Sequence, residues 1–314
     1  MYYIGIDLGG TNIAAGIYDE NLELLYKTSV PTRNERTDKE IVDSMTELAK
    51  QIMEHEGVDK KDVKSIGIGA PGSIDVKNGV VIYSNNIKFK DTPIRAWMEA
   101  DLGIPVFIEN DANCAALGEA TKGATKDADH SVMITLGTGV GGGIIINKKI
   151  YSGFDGTGAE IGHTVINFDG EPCNCGRTGC WEAYSSATAL IRQTFDAAKA
   201  NPESILGKAV DGKFENVNGK TAFDAMREGC PVGTSVVEKY INYIAIGAAD
   251  IINVFKPDML VIGGGVSKEG DNLVKPLEAL LEKYCYGHRV GTQIKIAQLG
   301  NDAGIIGAAA LGKE

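Results

Sequence analysis

The chain predicts a two-domain α/β protein, and three observations carry that expectation. Its 314 residues exceed one average domain and suit two. Apolar patterns of strand and helix type alternate along the first third of the chain. A strand–glycine turn–strand unit at the N-terminus recurs from residue 131, which suggests one domain design used twice. A 43% hydrophobic and 23% charged composition is ordinary for a globular protein. The net charge of −11 argues against a nucleic-acid or anionic-membrane surface.

Taken in order, Ile4, Ile6 and Leu8 alternate into a glycine turn, and a return strand runs from Ile13 to Tyr18. Asp19-Glu20-Asn21 turns the chain into a third strand over 22–30. Ile41, Met45, Leu48 and Ile52 repeat at helical spacing within 38–56. Val63 to Ala70 reads as a buried strand ending at Pro71-Gly72, and 104–108 as another. Asn110-Asp111 then caps a helix to about Lys122. Setting Asp7 against Thr135 matches Leu8 to Leu136, Gly9 to Gly137 and Ile17 to Ile145, so 131–146 repeats the opening hairpin. Helices follow over 183–198 and 233–255, and a buried strand over 259–262. A small-residue helix over 303–312 should return to the first domain. The expected domains are 1–112 with 301–314, and 113–300.

The opening MYYIGID has no basic segment ahead of an apolar stretch, and no apolar run reaches bilayer length. These features predict a cytoplasmic protein, in which disulfides rarely persist. Three of its six cysteines nevertheless crowd into 173–180. With His163, the thiolates of Cys173, Cys175 and Cys180 supply the four ligands of a closed tetrahedral zinc site. With every position filled by protein, that zinc should be structural rather than catalytic.

Forty glycines are well above the usual share of about 7%, and many sit in clusters after apolar runs. In DLGGTN, Asp7 offers a carboxylate, Gly9 and Gly10 let backbone approach a phosphate, and Thr11 adds a hydroxyl. LGTGVGG at 136–142 and VIGGGV at 261–266 are further strand-to-glycine transitions, and three such loops suit a nucleotide. No GxGxxG spacing and no GK[ST] follows, so neither a Rossmann nor a Walker loop is present. Asp111, between a buried strand and a helix, is either a helix cap or a base that takes a proton from an alcohol. Glu160 and Glu182 flank the cysteine loop, either as acceptors for adjacent hydroxyls or as solvated surface residues.

Together these motifs resemble the ROK family of bacterial sugar kinases and sugar-responsive repressors. The resemblance spans nearly the whole chain, and C-x-C-G-x-x-G-C-x-E from Cys173 to Glu182 is its most specific part. It implies an actin-like, ribonuclease-H-like ATPase fold of two α/β domains around a cleft. By the same resemblance, Asp7, Gly9, Gly10, Thr11, Asn12, Thr138, Gly139, Gly263, Gly264 and Gly265 bind ATP. Gly72, Asn86, Asn110, Glu160, His163 and Glu182 line the sugar pocket, and Asp111 is the catalytic base that also meets the sugar. The implied reaction is in-line phosphoryl transfer with Mg²⁺ held near Asp7 through water. A homo-oligomer, dimer or tetramer, is implied too. Kinases of this family often carry Asn-Leu-x-Trp in the pocket, where this chain has Asn86-Ile87-Lys88-Phe89. The expected substrate is glucose, with N-acetylmannosamine or N-acetylglucosamine as the competitor. A repressor would need a DNA-binding module of about 60–80 residues ahead of this part.

Overall fold

Pattern and packing agree most closely in the N-terminal hairpin. Tyr2–Leu8 (β1), Asn12–Tyr18 (β2) and Leu24–Pro31 (β3) run antiparallel in sequence; β1 and β2 are buried along most of their length, while β3 at the sheet edge alternates half-buried and exposed. The third strand starts two residues later than its pattern predicts, because Leu22 takes a left-handed turn conformation (φ 58°). The computed structural model describes residues 1–84 and 87–313.

Helix α1 (Asp38–Glu56) begins with a reciprocal Thr37–Glu40 capping box and stops at Gly57 in the left-handed conformation. Its apolar stripe, Ile41, Met45, Leu48 and Ile52, is buried. β4 (Val63–Ala70) pairs parallel with β1. Three short strands, β5 (Ser73–Asp75), β6 (Val80–Tyr83) and β7 (Lys90–Thr92), form a separate sheet that the pattern did not reveal. Helix α2 (Ile94–Leu102) leads to β8 (Val106–Asn110), parallel to β4. β8 begins after Pro105, which has no N–H to give the ladder. Helix α3 (Asp111–Lys122) follows without a loop. The first sheet therefore has the order β3-β2-β1-β4-β8.

The repeat is real at the level of topology. β9 (His130–Leu136), β10 (Val140–Ile146), β11 (Lys149–Ile150), β12 (Met259–Gly263) and β13 (Gln293–Ile296) form a second sheet of order β11-β10-β9-β12-β13. That is the first sheet's connection scheme over again. Between them come α4 (Glu182–Ser185), α5 (Ala187–Ala200), α6 (Ile205–Val210), α7 (Thr221–Arg227) and α8 (Pro231–Phe255), then α9 (Asp271–Tyr284). The helix expected over 183–198 is broken at Ser186, whose side chain caps α5 by accepting from Ala189 N–H. α8 starts two residues early, because Pro231 suits a first helical position.

The chain ends in α10 (Ala303–Ala310). Its small residues have a steric purpose: a Cβ on Gly307 would collide with Cys114 O in α3, and one on Gly67 in β4 with Ala308 O. Backbone meets backbone there, which ties α3 and α10 to the first sheet. Accordingly, one compact unit comprises 1–133, 143–159 and 298–314, and the other 134–142 and 160–297. Helix α3 packs on α10 within the first of these units, which also takes in the C-terminal segment 298–314. The division falls within β9 and β10. No helix among the described residues is long and apolar enough to cross a membrane.

Candidate functional site

In the first unit the site forms at the carboxyl ends of β1, β4 and β8, where open α/β sheets collect ligands. Register sets Asp7 beside Gly69, and Ala70 beside Asn110. The Gly9–Asn12 turn closes with Gly9 N–H donating to Asn12 O at 3.0 Å. Buried Thr32 braces it, donating its hydroxyl to Gly9 O (2.6 Å) and its N–H to Thr11 O (2.8 Å).

Asn110 is the cap of α3: its Oδ1 accepts from Ala112 N–H (2.9 Å) and Asn113 N–H (3.3 Å). Its Nδ2 donates to Gly72 O (3.2 Å). Asp111 is thus the first helical residue rather than the cap, with Oδ1 accepting from Ala112 N–H (2.9 Å). Gly72 has φ 103°, and a Cβ there would strike Tyr83 O, so glycine is required. Asp7 and Asp111 lie close enough to interact electrostatically. Burial, and then the charge of Asp111, push the Asp7 carboxyl up to about 6. Gly304 in α10 was not anticipated from the sequence; a Cβ there would stand 3.1 Å from the Asp7 carboxylate. A glycine at the start of an otherwise alanine-rich helix was its one signal. Asn86 lies outside the described residues.

In the second unit, a ring nitrogen of His163 and the sulfurs of Cys173, Cys175 and Cys180 all lie within 4.8 Å of one another. Cys173 Sγ is 3.7 Å from His163 Nδ1, and Cys175 Sγ 3.6 Å from Cys180 Sγ. Tetrahedral zinc with Zn–S near 2.3 Å needs edges of about 3.6–3.8 Å; these two pairs match that, and the rest of the set, within 4.8 Å, stands near enough to close on such an ion. Burial pushes the Cys180 thiol up to about 12 and Cys173 upward, whereas the Arg177 N–H holds Cys175 down. Trp181 moors the loop: it is fully buried and donates Nε1–H to Tyr243 O in α8 (2.9 Å). Gly247 of α8 leaves room for its indole. Nothing in the local sequence signals that mooring.

The second and third glycine loops meet. A Cβ on Gly264 (φ 83°) would strike the backbone of Leu136, at the head of the Gly137–Val140 turn. Thr138 is exposed, and Gly139 lies against Glu182, whose Oε2 accepts from Val140 N–H (2.9 Å). Gly263 ends β12, and Gly265 begins the turn beyond it. Glu182 is half-buried, whereas Glu160 is exposed at the start of the turn that carries His163.

The chain matches the ROK family over residues 3–314. It is similar to the glucokinase of Halalkalibacterium halodurans, with 38% identity over 100% of this chain and 95% of that protein. The glucokinase of Streptomyces coelicolor is 39% identical over 99% of this chain and 97% of the relative. The crystal structure of a ROK family glucokinase from Streptomyces griseus, in complex with glucose and AMPPNP, superposes with a TM-score of 0.80. That protein is 39% identical and is matched over 100% of this chain and 99% of its own. The fold is the actin-like ATPase fold with two α/β domains, and by motif, topology and full-length similarity the chain belongs to the ROK family.

Proposed function

We propose that the protein transfers the γ-phosphoryl group of ATP to the primary hydroxyl of a hexose, glucose first. The observation that carries the reading is Asp111, held at the first position of α3 within electrostatic reach of Asp7. Full-length similarity to glucokinases supports the substrate.

The hydroxyl oxygen attacks the γ-phosphorus in line, its proton passes to the Asp111 carboxylate, and ADP leaves with the bridging oxygen. N–H groups of the three glycine loops, with Thr11, Asn12 and Thr138, hold the phosphates. Mg²⁺, when bound with ATP near Asp7, neutralises phosphate charge. Asn110, Gly72 and the segment at Asn86 orient the sugar, with Glu160 and Glu182 accepting from its other hydroxyls. Positioning of this kind can be worth about 7–11 kcal/mol. His163 and the three cysteines would hold one structural zinc. Ligation through Nδ1 leaves the His163 Nε2–H to donate to the sugar. Reduced thiols suit a cytoplasmic setting. The family resemblance supports a dimer or tetramer, which sedimentation measures directly.

An assay of ADP release across glucose, mannose, fructose, N-acetylglucosamine and N-acetylmannosamine tests the reading. The highest kcat/KM should fall to glucose. N-acetyl sugar turnover with negligible glucose turnover would move the substrate assignment, and ADP release with no sugar would remove the kinase reading.

A further inference from the structure

The turn Gly137–Val140 has few bonds of its own: Gly137 N–H donates to Gly139 O at 3.0 Å. Three further hydrogen bonds among the described residues come from one short segment, 182–188, just past Cys180. Val140 N–H donates to Glu182 Oε2 (2.9 Å), Ala187 N–H to Gly137 O (2.8 Å), and the Thr188 hydroxyl to Thr138 O (2.8 Å). Three points of the turn are thus held from outside, and all three holds belong to the exit of the cysteine loop. Gly139 fits the same contact, since a Cβ there would collide with Glu182 Oε2. The carboxylate therefore packs on the turn as well as bonding to it.

The segment's own position is tied to α8, through buried Trp181 and the Tyr240 hydroxyl donating to Ser185 O (2.8 Å), and to the ligand cluster. Cys180 precedes Glu182 by two residues, and Cys173 Sγ lies 3.9 Å from Glu182 Oε1. We infer that the zinc loop braces the second phosphate-binding turn through Glu182, Ala187 and Thr188, so that metal loading governs nucleotide affinity and not the sugar pocket alone. Glu182 and Thr188 are positioning residues in this scheme, acting on ATP through the turn. The inference rests on the nucleotide role proposed for Gly137–Val140.

The test needs no phosphoryl transfer. Cys175→Ser protein, checked for lost zinc by elemental analysis, is compared with the full protein by amide hydrogen exchange and by AMPPNP binding without sugar. Val140 should exchange roughly tenfold faster or more, because its acceptor is no longer held. AMPPNP affinity should fall, while Gly9, in the first turn, keeps its exchange rate. Thr188→Val leaves the metal ligands untouched and keeps the inference testable if the cysteine variant does not fold. One lost hydrogen bond should raise the ATP KM about 3–10-fold with the glucose KM unchanged, and Thr188→Ser should restore it. Zinc-free protein with unchanged Val140 exchange and AMPPNP affinity would overturn the brace. So would a Thr188→Val protein whose glucose KM alone moves. Failure to phosphorylate any hexose would sink the kinase reading and leave the exchange result standing.

Discussion

The two glycine hairpins, 9–12 in one unit and 137–140 in the other, share a sequence design and a place in equivalent sheets. They differ in what holds them. Thr32, next after the neighbouring strand β3, clamps the first with two hydrogen bonds, and Arg36 Nη2 donates in turn to Thr32 O at 2.6 Å. That brace forms as the sheet forms. The second is clamped by residues 42 to 50 positions away, at the exit of the loop that carries the three cysteines. One hairpin is held by the chain next to its own sheet, and the other by a segment distant in sequence that adjoins the cysteine–histidine cluster. Chemistry divides similarly: the first unit holds adjacent carboxylates, the second a cysteine–histidine centre.

The sharpest way to separate the units is Asp111→Asn. Loss of a general base should lower kcat by about 10²–10⁴-fold. Zinc content, about one per chain, and Val140 exchange should not move, because nothing in the second unit is touched. Near-normal turnover at saturating glucose would remove Asp111 from the chemistry.

Asp7 gives the next largest effect, one confined to the first unit and dependent on pH. Its carboxyl is raised from 3.8 to about 6, so folding favours the neutral form. The stability this contributes is complete below about pH 3.8 and is lost as pH rises through 6. A shift of that size corresponds to about 3 kcal/mol. Asp7→Asn, which cannot ionise, should therefore stabilise the ligand-free protein by up to that amount at pH 7.5. The gain should vanish near pH 4. Urea unfolding at both pH values decides it, and a gain independent of pH would rule out the buried charge as its cause.

Gly139→Ala and Gly137→Ala test the second turn against itself. The first substitution meets Glu182 Oε2, while the second has open space within 4 Å. Gly139→Ala should raise the ATP KM by about tenfold and Gly137→Ala by under about threefold, as overpacking against a held carboxylate costs more than a solvent-facing methyl. Equal effects would mean that Glu182 does not shape the turn.

The smallest effect is expected at Thr32→Val, which removes the hydroxyl bond to Gly9 O. It should cost about 1 kcal/mol of stability. Val140 exchange and metal content should stay unchanged, and a shift in either would break the contrast between a local brace and a distant one.

Local signals carried far in this chain. Periodicity placed α1 and β4 to the residue, because a capping box, a stop glycine and a proline punctuate them. Cysteine spacing anticipated that Cys173, Cys175 and Cys180 gather beside His163, since three thiols within eight residues can hardly avoid one another. The β5–β7 sheet escaped, for its strands are three or four residues long and too short to show a period. The isolated reading of Asp111 as a cap gave way to Asn110, a distinction of one residue that only backbone angles make.

The opening hairpin and its repeat, helices α1 and α3, the grouping of His163 with three cysteines and the glycine turns were legible in the sequence alone, because each shows in a local pattern or spacing. Tertiary structure decided that Glu182 faces Val140, that Trp181 is moored to α8, and that Gly304 makes room for Asp7. It also decided that α3 belongs with α10. These contacts join residues tens to hundreds of positions apart. Their energy comes from burial and hydrogen bonds that exist only once the chain has closed those loops, so no local pattern could have recorded them.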